Sequence, residues 1–236
     1  MAEWATRARR DRHDTDRHAE LLRAARGVFE RDGIEGASVA AVTQEAQVSR
    51  ATFYVYFASL DDALGAVARE VRDDLLASQR MPVQVENPID VAARSMEAFL
   101  DARIRNLRML DVIESRAHHD AEMGTLWEEL SEHPLRRTAR YVRGLAESGI
   151  GHPAADPAAV ARAAHGMVIA YASWIAADPT RRTQGVHDLN ALFRRLLGIQ
   201  APSSAERTAD DARNPVRGKV TDQREHHFPG RFACDR

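Results

Sequence analysis

Cysteine is almost absent. The only one, Cys234, lies near the C-terminal end, so the chain can close no disulfide within itself and build no cysteine-based metal site. No run of about 18 apolar residues occurs. From Arg7 onward the N-terminus is charged, without the apolar centre of a secretory signal. Lysine is as scarce, Lys219 standing alone among 33 basic residues, and 35 acidic residues bring the formal net charge to -2. That balance excludes binding of nucleic acid by bulk charge; any such binding has to come from a local surface. No Gly-rich phosphate loop, G-x-S-x-G or H-E-x-x-H is found, and Asp61-Asp62 and Asp73-Asp74 suit helix capping and solvation better than acid/base work. The chain shows no β alternation and no internal repeat. These absences predict an all-α cytoplasmic protein that is not an enzyme, uses no cofactor or metal, and has no membrane partner.

What is present is helical periodicity, most informative from Ser38 to Phe57, SVAAVTQEAQVSRATFYVYF. Read as two short helices around a tight turn, it puts Val42 and Ala46 on one face of the first. Val48 falls in the turn, and Phe53 and Phe57 share one face of the second. Ser38 and Ser49 are suited to cap the two helices. The second helix then presents Arg50, Thr52, Tyr54 and Tyr56, groups that suit base edges and phosphates in a major groove. The pattern is that of a helix-turn-helix.

Upstream, residues 1–14 read as a flexible arm. A first helix is expected from about Asp16 to Asp32, with Leu21, Leu22, Ala25, Val28 and Phe29 as its stripe and Gly33 as its stop. Downstream, Ser59-Leu60-Asp61-Asp62 opens a helix whose buried face is Leu64, Val67, Ala68, Val71 and Leu75, running to about Gln79. Asn87-Pro88 starts the next, to about Arg103, and a separate short helix is expected from Leu107 to about His118. Asp120 can cap another, which Pro134 should break or kink before it resumes from Leu135 to Glu147 and stops at Gly149. Asp156-Pro157 opens Ala158 to Ala177, and a last helix around Val186–Leu197 stops at Gly198. The total is about nine helices. Residues 201–236 lack periodicity and read as disordered.

The stretch Val48 to Phe57, followed by Ser59 and Leu64, resembles the DNA-binding signature of TetR-family transcriptional regulators, over roughly residues 21–64. Two positions depart from that pattern. Gln47 stands where the family usually has Gly, and Leu60 where it usually has a phosphate-contacting Lys. The resemblance implies a DNA-binding domain over 15–60 and an effector-binding and dimerisation domain over 61–200. The function it implies is that of a ligand-responsive repressor, binding a palindromic double-stranded DNA operator as a homodimer and released by a hydrophobic small molecule. A helical small-molecule binding or scaffold protein without specific DNA binding is the alternative. Ser38, Val39, Arg50, Ala51, Thr52, Tyr54 and Tyr56 are the expected DNA contacts; the resemblance assigns base readout to Arg50 and phosphate contact to Tyr54.

Met96, Phe99, Met109, Ile113, Trp127, Met167, Tyr171 and Trp174 can, from the residues alone, be either a packed core or the lining of a cavity. The resemblance implies the cavity. Arg103, one turn after Phe99, could hold an acidic group of a ligand or pair with Asp101 or Glu97. His118-His119-Asp120 invites a metal reading, but adjacent helical residues diverge by about 100°. Small residues on the helix 158–177 and leucines on the last helix suit either intramolecular packing or a dimer. The resemblance implies a four-helix interface, with Ala161, His165, Val168, Leu189, Leu192, Phe193 and Leu196 as candidates.

Overall fold

Five of the helices begin where a side chain accepts from a free amide. In the computed structural model, which describes residues 2–79 and 88–199, Ser38 Oγ accepts from the Ala41 N–H at 3.2 Å and opens α2, Val39–Glu45. Ser49 Oγ accepts from the Thr52 N–H at 3.0 Å and opens α3, Arg50–Tyr56. Ser59 does the same for α4, Leu60–Ser78, at 3.0 Å from Asp62. Asp120 caps α6, Ala121–Glu147, and Asp156 with Pro157 opens α7, Pro157–Ala177. These are the capping positions expected from sequence. The remaining helices are α1, Ala2–Gly36, α5, Pro88–Ala117, and α8, Arg182–Leu196, with a 3-10 turn at Pro179–Arg181. The fold is all-α, with eight α-helices among the described residues.

Three helix ends share one device. At α6 the Gly149 N–H bonds the Ala146 carbonyl and the Ile150 N–H that of Leu145, with Gly149 at φ 70°. Gly198, at φ 62°, closes α8 in the same way. At α2 the residue in that left-handed position is Gln47, at φ 53°, while Val48 N–H reaches the Thr43 carbonyl at 3.0 Å. This crossed pair of bonds satisfies the last carbonyls of a helix and favours Gly at its pivot.

Three expectations are corrected. α1 starts at Ala2, so helical backbone covers the segment read as an arm; residues 2–14 contain no Gly or Pro to interrupt it. Gly33, at φ 66°, does break it where expected. The two helices expected over 88–118 are one, because nothing between Arg103 and Leu107 stops a helix. Asn106 in that interval is buried, its Nδ2 donating to the Ala102 carbonyl at 2.8 Å and to Asp74 Oδ2 at 2.7 Å. Pro134 lies inside a continuous α6, removing one backbone bond without ending the helix. The expectation for 201–236 lies outside the described residues.

α1, α2 and α3 form the head; α4 packs on α1 and also on α5 and α6, and α7 packs on α5, α6 and α8. The stripes read from sequence on α1 and α4 are buried as a set. Gln47 yields the first prediction. Gln47→Gly relieves the left-handed conformation and should stabilise the protein by about 0.5–1 kcal/mol, while Gln47→Val should destabilise it. Chemical denaturation of the three proteins checks this; a Gly variant less stable than the parent would contradict it.

Candidate nucleic-acid interface and effector cavity

Val42 and Phe53 are fully buried and Phe57 nearly so, with the Phe53 and Phe57 rings 5.5 Å apart. Ala46 and Val48 are half-buried around them. This small core holds α3 across α2 and leaves one side of α3 open. Arg50 and Ala51 are exposed there, Tyr54 is 58% exposed, and Val55 is 77% exposed. Arg50 makes no ion pair among the described residues, so its guanidinium faces solvent. Ser38 is exposed and Val39 half-buried at the start of α2. Two expected contacts are partly committed elsewhere. Thr52 Oγ1 lies 2.9 Å from Ser49 Oγ inside the cap, and Tyr56 is half-buried with its ring 5.9 Å from His18, which also meets Phe57 at 5.4 Å. Val55 was not among the expected contacts. Its i+4 relation to exposed Ala51 was the available signal.

The second feature is a cavity of about 670 Å³ including its open mouth. Four helix faces enclose it. α5 supplies Val91, Ala92, Ser95, Met96 and Phe99; α6 supplies Pro134, Arg137, Thr138 and Tyr141; α7 supplies Ala164, His165 and Val168; and α8 supplies Phe193. Gln79, at the end of α4, completes the wall. On α6 the four residues follow i, i+3, i+4, i+7, one face of a helix. His165 stacks at 5.6 Å on Phe99; burial, with help from the Arg103 charge, lowers its pKa to about 4, so the ring is neutral at pH 7. Burial raises the Tyr141 phenol above its ordinary value and keeps it neutral.

Of the expected ligand contacts, Met96 and Phe99 line this cavity. Met109 and Ile113 are wholly buried in the core, and Trp127, Met167 and Tyr171 pack against that core from partly buried positions. Trp174 is 40% exposed and stacks on Tyr171 and Arg181. Asp101 and Glu97 pair with Arg182, both at 2.8 Å, rather than with Arg103. Arg103 is instead buried, its Nε without a hydrogen-bond partner, and desolvation lowers its pKa.

Residues 21–67 match the family model for bacterial regulatory proteins of the tetR family. An 87-residue stretch is 37% identical to the nicotine-responsive transcriptional repressor HdnoR of Paenarthrobacter nicotinovorans; it spans 36% of this chain and less than half, 44%, of that repressor. The fold is similar to that of PfmR, a TetR family transcriptional regulator from Thermus thermophilus, with 22% identity and a TM-score of 0.62 over 77% of this chain and 99% of that one. A TetR-family regulator from Pectobacterium atrosepticum is 25% identical, with a TM-score of 0.55 over 78% of this chain and 96% of that one. The chain carries the TetR family's helix-turn-helix DNA-binding domain, followed by a helical domain. No described helix is long and apolar enough to cross a membrane.

The TetR-like dimer candidates divide by burial. Ala161, Val168, Leu189 and Phe193 are buried within the protomer and His165 lines the cavity, so none of these can meet a partner without opening the fold. Leu192 is 41% exposed and Leu196 half-buried. The open side of α7 carries Gly166, Ile169, Ala170 and Trp174 instead.

Two predictions arise here. Arg50→Ala should weaken operator binding by about 1–3 kcal/mol if the guanidinium grips a guanine edge; fluorescence anisotropy at fixed salt measures it, and unchanged affinity would remove Arg50 from the interface. For His165, the pKa falls from 6.5 in the unfolded chain to about 4 in the native one, so the unfolded state binds more protons between those values. The contribution is fully present above pH 6.5 and is lost as pH falls toward 4. From pH 7 to pH 5 the loss should be roughly 1–2 kcal/mol, and His165→Gln should abolish that part of it. Equal losses in both proteins, followed by thermal and denaturant melts, would contradict this.

Proposed function

We propose that this protein is a homodimeric TetR-family repressor that binds a palindromic operator and releases it when a hydrophobic molecule carrying a polar group fills the α5–α8 cavity. The observation that carries the reading is the span of α4. Three residues separate it from α3, and its C-cap is Gln79 on the cavity wall. At 19 residues it is roughly 28 Å long, so a displacement at its far end is carried to the head as a tilt. Two reading helices must lie about 34 Å apart to enter successive major grooves, and a tilt changes that spacing. The effector has to prefer the non-binding geometry, because equal affinity for both geometries shifts nothing. The repressor sense rests on HdnoR, a named repressor.

The dimer reading moves to the open faces of α7 and α8. Gly166 and Ala170 allow close approach of another helix, and Ile169, Trp174 and Leu192 are large apolar side chains left in water. Leu192→Asp, at a position outside the protomer core, should convert the dimer to a folded monomer and abolish operator binding. Sedimentation velocity with circular dichroism reads both outcomes; an intact dimer would move the interface elsewhere. The function itself is tested by gel shift of the full chain on the DNA upstream of its own coding sequence. A specific shift at low salt is expected. No specific shift on any genomic fragment would favour a helical small-molecule binding protein without specific DNA binding, consistent with Leu60 in place of a phosphate-contacting Lys.

A further inference from the structure

The cavity is apolar over most of its wall, but its polar groups are of one electrostatic kind. Among the described residues, Arg137 is the one permanently charged side chain that lines it, and Asp and Glu are absent from that lining. Half-buried on α6, Arg137 makes no ion pair or hydrogen bond among the described residues. Two acids of the lining helix α5, Glu97 and Asp101, are engaged by Arg182. A second guanidinium, Arg103, lies buried one turn beyond Phe99, and its charge is felt at His165 on the cavity wall. An independent observation comes from Gln79. It is only 5% exposed, it lines the cavity, and its Oε1 has no hydrogen-bond partner. Buried side-chain oxygens in native proteins are paired as a rule, and an unpaired one on a residue that lines a cavity is a place for a ligand donor.

We infer that the cavity takes an amphipathic monocarboxylate. Its carboxylate lies on the Arg137 guanidinium, its hydrocarbon body lies among Met96, Phe99, Val168 and Phe193, and a hydroxyl or N–H donates to Gln79 Oε1. The inference rests on the ligand-responsive reading above and narrows it to a chemical class. A planar guanidinium without an acid partner is a strong anchor for a carboxylate. A cationic ligand would enter beside one unpaired guanidinium and within reach of another, with no acid to receive it. His165 does not compete for the carboxylate with a charge of its own, since it is neutral at pH 7. The contact at Gln79 gives the class a consequence: a ligand that donates there touches the last residue of α4, the helix that leads back to the DNA-reading head.

The test uses the full chain and four probes of one chain length: decanoate, 3-hydroxydecanoate, decanamide and decylamine, titrated by calorimetry at pH 7.5. Decanoate is expected to bind at least about tenfold more tightly than decanamide, the worth of one charge-assisted hydrogen bond, and decylamine to show no saturable binding. 3-Hydroxydecanoate should bind more tightly than decanoate, and Gln79→Leu should remove that advantage. Arg137→Gln should bring decanoate and decanamide to the same affinity. Because the acid-to-amide ratio is also read in the parent protein, the inference stays exposed even where a variant does not fold. Failure of both carboxylates to bind below about 1 mM, an amide or amine that binds as well as the acid, or an Arg137→Gln protein that keeps the acid preference would each overturn it. The two levels separate in a parallel operator assay. A carboxylate that binds with the expected preference but leaves operator affinity unchanged sinks the repressor-release reading and upholds the ligand class. A neutral or cationic probe that binds in the cavity and releases DNA does the reverse.

Discussion

The structure depends on one helix being shared by two cores. α4 buries Leu64, Val67, Val71 and Leu75 on a face that packs against α1 of the head and against α5 and α6 of the body. Most of its polar ties are exposed ion pairs, Arg116 to Asp61 at 3.0 Å and Arg69 to Glu122 at 3.7 Å among them, and such pairs contribute little. The contact with Asn106 is different. Its buried amide donates to Asp74 on α4 and to the Ala102 carbonyl on its own helix, so α4 can slide or turn against α5 only by leaving a buried donor unpaired, a cost of roughly 1–3 kcal/mol. That sets a preferred register between head and body. It also keeps the barrier to another register within what a small molecule can supply, since effector coupling is typically about 1–3 kcal/mol.

Much of the fold was legible because its signals are local. Ser38, Ser49, Ser59, Asp120 and Asp156 cap helices from their own first turns, and Gly33, Gly149 and Gly198 end or break helices by adopting a conformation other residues avoid. The family signature was equally local, packed into one turn and one short helix. What was not legible depends on partners distant in sequence. A break between Arg103 and Leu107 looked reasonable until Asn106 found Asp74 across 32 positions. Pro134 looked like a break or a kink, yet α6 continues through it.

The cavity and the dimer candidates were harder for a related reason. Apolar periodicity identifies the buried face of a helix without saying whether that face meets side chains, empty space or a second subunit. Met109 and Ile113 therefore read as ligand contacts and are core, while Val168 and Phe193 read as dimer contacts and border the cavity. The informative residues were the polar exceptions on those faces. Arg137 and Gln79 carried no sequence signal of their own, because a lone Arg on a helix is usually solvated and a Gln at a helix end usually meets water. Only their position against a cavity whose described lining holds no acid gives them meaning.

The central claim is that the state of the cavity sets the spacing of the two DNA-reading heads through α4. Its most direct test is the distance between heads, measured by pulsed electron resonance with spin labels at Glu35→Cys in a Cys234→Ser background. The operator-bound parent provides the reference distribution. A cavity-filling variant, Ala164→Phe, should show a distribution displaced from that reference together with weakened operator binding. A variant that loses operator affinity while its head-to-head distances coincide with those of the operator-bound parent would contradict the account.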